Sequence, residues 1–407
     1  MKLVAPSHPL RRRACTALLA AGILLMALGL RFWRIDAQSI WYDEGWSIHL
    51  AREGLAEALA QIAGPGHTHP PGYYLLLMGW VRLFGDGVLA VRGLSALLGS
   101  ITVLALVALA REVYGDDRTG LLAAALAALA PAQIVYSQEV RMYALLGLCF
   151  VLLLALGSRY TSGEGRWSAW HWGALLLVEI VALYSHYLMA FPLLSLNLWV
   201  IGRLLSARRR LVRWLGAQAV ALAALLPWLI FALGSLVEHE TMGAQPLSLG
   251  AFLRETGAFL LGGHIALLGR EPLYARFAAL AAAALALVTL PLLARRQDKK
   301  GTAYLLLQIV LPLLLVFALM RARPGYHPRY VLILLWPMLV LLARGTVRLW
   351  AAGAWGRMGA LCALGLWLAT SSLAATALYT DPYYRRDEAR ATAVYLRQEL
   401  PPDALIL

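Results

Sequence analysis

Pro70-Pro71-Gly72-Tyr73-Tyr74-Leu75-Leu76-Leu77-Met78-Gly79-Trp80-Val81-Arg82-Leu83-Phe84-Gly85 is the stretch on which the topology of the chain turns. It is apolar but short, opens on two prolines and a glycine, and carries Arg82. A helix needs about 20 apolar residues to cross a bilayer, with a range of about 17–25. Longer runs lie near 14–32, 93–112, 119–136, 142–158, 168–185, 187–204, 214–234, 273–293, 302–320, 329–343 and 357–378. If 70–85 also crossed, the basic clusters at Arg203 with Arg208–Arg213 and at Arg295–Lys300 would face away from Arg11-Arg12-Arg13. If it lies along the surface, those clusters and Arg344 with Arg348 share one side, as the cytoplasmic bias of Lys and Arg requires. The second arrangement predicts eleven spans, with the N-terminus cytoplasmic, the C-terminus outside, and 70–85 as a juxtamembrane or re-entrant helix.

Composition agrees with this class. Of 407 residues, 61% are hydrophobic and 14% charged, against about 45–50% and about 25% in soluble domains. The net charge of +14 therefore reflects membrane orientation and not nucleic-acid binding. Cys15, Cys149 and Cys362 sit in apolar runs and form neither a disulfide framework nor a metal cluster. Arg11–Arg13 and the apolar run after them resemble a secretory signal, but no small-residue cleavage site precedes Arg31-Phe32-Trp33-Arg34, so the run reads as an uncleaved span. The expected organisation is an all-α membrane domain over 1–378, with outer loops at 35–92 and 235–272, and an outer tail over 379–407. Residues 387–400 of that tail read as a short amphipathic helix.

Because positive charge alone orients the spans, the positions of the other polar residues test the arrangement. Asp43 and Glu44, in Trp41-Tyr42-Asp43-Glu44-Gly45-Trp46, fall outside, just past the first span. So do His67, His69, Glu139, Arg141, Tyr143, His186, Arg329 and Tyr330. Each cluster also has a plainer reading. Glu44 suits a helix start, and Trp33, Trp41, Tyr42, Trp46, Tyr73, Tyr74 and Trp80 suit an interfacial aromatic belt. His67-Thr68-His69 lacks a clear third metal ligand, and Glu139 with Arg141 suits a snorkelling pair. Glu179, about two turns below His186, indicates either a watered cavity or a partner on another helix. Their convergence on one face is what points to a site.

Chemistry on that face lacks ATP, so a sugar must arrive already activated, as the phosphate ester of a long lipid. Transfer needs a general base for the acceptor hydroxyl, a role for a carboxylate at the protein–lipid boundary. It also needs cations at the departing phosphate, a role for the planar, permanently charged fork of arginine. Attack opposite the phosphate inverts the anomeric centre.

Trp41-Tyr42-Asp43-Glu44, His69-Pro70-Pro71-Gly72-Tyr73-Tyr74, Gln138-Glu139-Val140-Arg141-Met142-Tyr143, Ser185-His186-Tyr187 and Arg329-Tyr330 together resemble, in order and spacing, the signatures of the GT-C membrane glycosyltransferases. The nearest group is glycosyltransferase family 39, with the protein mannosyltransferases and lipid A aminoarabinose transferases. The resemblance covers about residues 30–345. It implies that Asp43 is the base or acceptor-orienting residue and Glu44 its partner. His69 stands where the aminoarabinose transferases carry a lysine for the lipid phosphate, which shifts weight onto Arg141 and Arg329. Glu139, Tyr143, His186 and Tyr330 complete the expected substrate pocket. The implied partners are a polyprenyl-phosphate sugar, membrane lipids, and a lipid, glycan or protein acceptor. The implied location is a prokaryotic plasma membrane with an extracytoplasmic site. No cofactor is called for; a divalent ion is compatible with the chemistry but not indicated by the residues.

Two other classes remain in view. A ligase of whole lipid-linked polysaccharides would draw on the 235–272 loop, with His239, His264 and Arg270. A transporter would gather its polar groups at the bilayer midplane in repeated halves, and no such repeat is visible.

Overall fold

The computed structural model describes residues 9–64, 69–163, 167–233, 247–263, 283, 288–289, 291–323, 325–380 and 388–399. Among them every regular element is helical. The chain opens with α1 (Pro9–Phe32), followed by three short helices, α2 (Tyr42–Arg52), α3 (Leu55–Ala63) and α4 (Gly72–Phe84). Then come α5 (Val88–Tyr114), α6 (Asp117–Ala128), α7 (Pro131–Ser137), α8 (Tyr143–Ser162), α9 (Ala169–Ser185), α10 (Ala190–Leu204) and α11 (Arg208–Phe231). The last are α12 (Leu249–Gly262), α13 (Arg296–Ala322), α14 (Leu335–Trp350), α15 (Ala354–Thr380) and α16 (Ala389–Glu399). Short 3₁₀ segments, Tyr187–Met189 and Pro328–Leu334, lead into α10 and α14.

Among the described residues eight helices are long and apolar enough to span a membrane, or nine if the bent pair α6–α7 counts as one span. The expected eleven are not all found among the described residues. The run at 168–185 folds as a 17-residue helix, α9, and most of 273–293 lies outside the described residues. So do His67, His239, His264 and Arg270. The expected span at 119–136 is broken because a residue before proline avoids the helical region. Ala130 is extended ahead of Pro131, and α6 and α7 meet at 66°. The carbonyls that end α6 then need donors. The buried Arg31 guanidinium of α1 supplies them, at 3.3 Å from the Ala127 oxygen and 3.4 Å from that of Ala128.

The 70–85 stretch forms α4, whose 13 residues rise about 20 Å, too short to cross. Side-chain contacts near the end of α1 and the start of α5 lie at one end of the bundle, where Arg31 reaches Ser137 and Arg92 reaches Glu44. The intervening chain thus makes no net crossing. Tyr73 and Tyr74 depart from the belt reading. Both are buried, because α4 packs between α5 and α9, with Gly72 against the Tyr184 backbone. A Cβ on Gly72 would lie 2.7 Å from the Tyr184 oxygen. Glu179 proves to have a partner across the bundle: it accepts from Gln218 at 3.1 Å, which accepts from Asn197, which accepts from Trp214.

At the opposite end a charged node ties three helices together. Gly115 ends α5 in the left-handed region open to glycine, at φ 64°, and Asp116 caps α6 by accepting from the Arg118 amide and the Thr119 hydroxyl. Arg344 of α14 reaches Asp116 at 2.6 Å and the fully buried Asp298 of α13 at 2.6 Å, and Arg348 joins Asp298 at 2.7 Å. Removing one side of a buried pair typically costs about 3–5 kcal/mol. Asp298→Ala is expected to lower the thermal unfolding temperature of the detergent-solubilised protein by many degrees. Asp117→Ala, at the exposed Arg111 pair, should change it little. Equal effects would contradict the buried node.

Candidate active site

Asp43 stands in the first turn of α2, a fifth exposed, with its Oδ2 3.2 Å from Arg329 Nη1 and 3.8 Å from Arg141 Nη2. Arg141 is buried and also donates to the Tyr74 hydroxyl at 3.5 Å, while its carbonyl accepts from Ser95 of α5. Burial opposes the Arg141 charge, but Tyr74, Tyr143, Asp43 and Glu139 more than offset it and raise its pKa. Residues more than 280 positions apart thereby meet.

Glu44 has a different environment from its neighbour. It is fully buried, and its carboxylate takes a bidentate pair from Arg92 at 2.9 and 2.7 Å. It also accepts from the Val140 amide at 3.0 Å and the Trp41 amide at 3.4 Å. The Trp41 contact is the helix-start role expected of Glu44; the others are new. Arg92 donates further to the carbonyls of Ile35, Gln38 and Ser39 at 2.8, 2.9 and 3.0 Å. All of its N–H groups face acceptors, the full inventory of a guanidinium. Glu44 thus holds α2, α5 and the 138–142 turn in one register, leaving Asp43 as the member of the pair turned toward the arginines.

Arg329 enters from the 3₁₀ turn Pro328–Leu334, whose first amides His327 caps by accepting the Arg329 N–H at 3.2 Å. His186 does the same for the turn Tyr187–Met189, accepting the Leu188 amide through Nδ1 at 3.1 Å. In the neutral ring the proton therefore sits on Nε2. Burial, then the charges of Arg141 and Arg329, push the His186 pKa down to about 3. His69 packs its ring 4.8 Å from that of His186, and the Tyr330 ring lies 6.3 Å from it. Glu139 is buried between Gln138 and Val140, beside Arg141 and Tyr143 in charge terms.

A cleft of about 410 Å³, open mouth included, begins at these groups. Arg329, Tyr143, His186 and Tyr330 line its polar part, and Leu188, Pro192, Pro312 and Val316, from the α10 and α13 sides, line an apolar continuation. Arg329 Nε, Arg141 Nε, Tyr143 Oη and His186 Nε2 are buried with no hydrogen-bond partner among the described residues. Four donors in that condition are costly unless an acceptor joins them. Among the described residues no group of three potential ligands is placed to hold a metal.

Of the sequence-predicted residues, Tyr143, His186, Arg329 and Tyr330 line the cleft, Asp43 pairs with Arg329 and Arg141 beside it, His69 packs on His186, and Glu44 is buried in its own pair with Arg92. Arg92 and Arg31 were not anticipated. Each stands at the edge of an apolar run, where an arginine reads as a snorkelling flank, and neither spacing nor composition marked it as buried.

Comparisons with known proteins find the same GT-C-like helical fold. Residues 68–231, under half of the chain, match the dolichyl-phosphate-mannose-protein mannosyltransferase family. That match includes His69 and Arg141 but neither Asp43 nor Arg329. Among solved structures, ArnT from Cupriavidus metallidurans is similar at 16% identity, with TM-score 0.64 in the apo state and 0.59 bound to undecaprenyl phosphate. The latter match covers 98% of this chain and 82% of that one. The Archaeoglobus fulgidus oligosaccharyltransferase AglB, in complex with an inhibitory peptide and a dolichol-phosphate, is similar at 13% identity and TM-score 0.56, over 96% of this chain and 59% of that one. At such identities the shared property is the fold. No curated protein matches at the sequence level.

Two outcomes are expected of this geometry. Truncating a buried, hydrogen-bonded pair costs about 3–5 kcal/mol, so Arg92→Ala should sharply lower thermal stability. Arg92→Lys should restore little, because an ammonium cannot reach both carboxylate oxygens and three carbonyls. Recovery of wild-type stability by lysine would contradict the clamp. For His186, the unfolded chain binds more protons than the folded one between the folded value of about 3 and the ordinary 6.5. Its contribution is thus intact above that window and lost as pH falls through it. The unfolding temperature should drop on acidification below the ordinary histidine range. His186→Asn, which keeps a cap acceptor, should flatten that slope, and an unchanged slope would contradict the burial argument.

Proposed function

We propose that the protein transfers a sugar from a polyprenyl-phosphate donor to an acceptor on the extracytoplasmic face of the membrane, with inversion at the anomeric carbon. The observation that carries this reading is the two-natured cleft: unpartnered donors at one part, an apolar continuation at the other, and Asp43 one ion pair away. A phosphate ester of a hydrocarbon lipid has the same two natures. The basic clusters at the opposite end, Arg208–Arg213 and Arg344 with Arg348, support the extracytoplasmic assignment.

In this reading the lipid phosphate lies on Arg329, Arg141, Tyr143 and His186. Charge-assisted hydrogen bonds suit the developing phosphate charge. His186 contributes a further donor through Nε2. Asp43 takes the acceptor proton as the acceptor oxygen bonds to the anomeric carbon. The electron pair of the breaking carbon–oxygen bond leaves on the phosphate. Glu44 does no proton transfer and holds Asp43 in register with Arg141. The acceptor is a lipid, glycan or protein hydroxyl.

A general base contributes about 10²–10⁴-fold. Asp43→Asn is expected to reduce radiolabelled sugar transfer by the purified protein, from a panel of polyprenyl-phosphate sugars, by at least the lower of these factors with unfolding temperature retained. Near-normal transfer by that variant would overturn the assignment of Asp43.

A further inference from the structure

Asp43 and the phosphate site share their cations. Arg329 presents Nη1 to Asp43 at 3.2 Å while its Nε is buried without a partner, and Arg141 presents Nη2 to Asp43 at 3.8 Å while its Nε is likewise without one. Asp43 thus engages one Nη of each guanidinium, Arg141 Nη1 donates to Tyr74, and the two Nε groups, Tyr143 Oη and His186 Nε2 are buried with no partner among the described residues. We infer that Asp43, beyond its role as base, competes with the lipid phosphate for these arginines and thereby ejects the spent lipid phosphate after each transfer.

The inference rests on the proposed transferase reading and follows from its charge balance. The donor is a phosphodiester with one negative charge. When the carbon–oxygen bond breaks, the electron pair stays on phosphate, and a phosphomonoester carries about −1.5 to −2 at pH 7. The product is thus held more tightly by two arginines than the substrate was. At the same moment Asp43 gains the acceptor proton and becomes neutral, which releases its share of both guanidiniums to the phosphate. Loss of that proton to water restores the carboxylate. The ion pair with Arg329 then re-forms, and the bare anion repels the phosphate beside it. The sugar, the proton and the lipid phosphate each leave by a defined route, and no redox partner is involved. Both Asp43 and Arg329 are about a fifth exposed, so their pair is reversible where the sealed Glu44–Arg92 pair is not.

The test is equilibrium binding of a fluorescent short-chain polyprenyl phosphate to the purified full-length protein in detergent at neutral pH. Asp43→Asn, which removes the competitor but keeps the shape, should bind the lipid phosphate about tenfold more tightly than wild type, the gain from one partly exposed ion pair no longer broken. Asp43→Glu, which keeps a carboxylate, should stay near wild type. Arg329→Gln should bind more weakly than either. If Asp43→Asn binds with equal or lower affinity while wild type and Arg329→Gln differ as stated, the competition is wrong and the transferase reading stands. If no variant binds the lipid phosphate, the reading and the inference fall together.

Discussion

A carboxylate and a guanidinium that are both sealed from solvent must satisfy one another almost completely, and Glu44 and Arg92 do. The pair joins the first loop, the start of α5 and the 138–142 turn through one set of hydrogen bonds. Because Asp43 precedes Glu44 and Arg141 follows Val140, the same bonds set the spacing between the proposed base and a proposed phosphate ligand. Replacement by apolar side chains is often tolerated at buried ion pairs. Here that would discard the register, since no apolar group can hold the Val140 amide and the Ile35, Gln38 and Ser39 carbonyls at once.

The two adjacent carboxylates therefore divide the work between rigidity and reactivity. Glu44 is fully buried and locked by four contacts, whereas Asp43 is a fifth exposed and held by two arginines at 3.2 and 3.8 Å. A similar contrast runs along the bundle. The Asp298–Arg344–Arg348 node is closed and saturated at one end, whereas the Asp43 end leaves four buried donors without partners. Single unsatisfied polar groups also occur elsewhere, at Gln308, Trp367 and Ser371; what sets the Asp43 end apart is that four donors share that condition beside a cleft, where a ligand's oxygen atoms would satisfy them.

Much of this was legible beforehand because charge and hydropathy act at long range in a membrane protein. The basic clusters put Asp43, Arg141, His186 and Arg329 on one face, and in the structure His186 and Arg329 line one cleft while Asp43 pairs with both arginines beside it. The surface course of 70–85 follows from its length, and α4 has that length. The rest depended on packing that no periodicity reports. Tyr73 and Tyr74 look like interfacial aromatics until α4 is seen wedged between α5 and α9. Pro131 sits in an unbroken apolar run, and whether it kinks or breaks a span depends on a distant donor, here Arg31. Arg92 looks like a flank because three of its five acceptors are backbone carbonyls, which every residue possesses and no sequence pattern can single out, and the other two come from a carboxylate 48 positions away.

The central claim is that a lipid phosphate lies with its head beside Asp43 and its chain between α10 and α13. Photo-crosslinking with a polyprenyl phosphate bearing a diazirine on its first isoprene, followed by peptide mass spectrometry, tests it most directly. Label should fall on 188–192 and 312–316 and disappear when unlabelled polyprenyl phosphate is added. Label concentrated on other helices, or label that competitor leaves unchanged, would contradict the account.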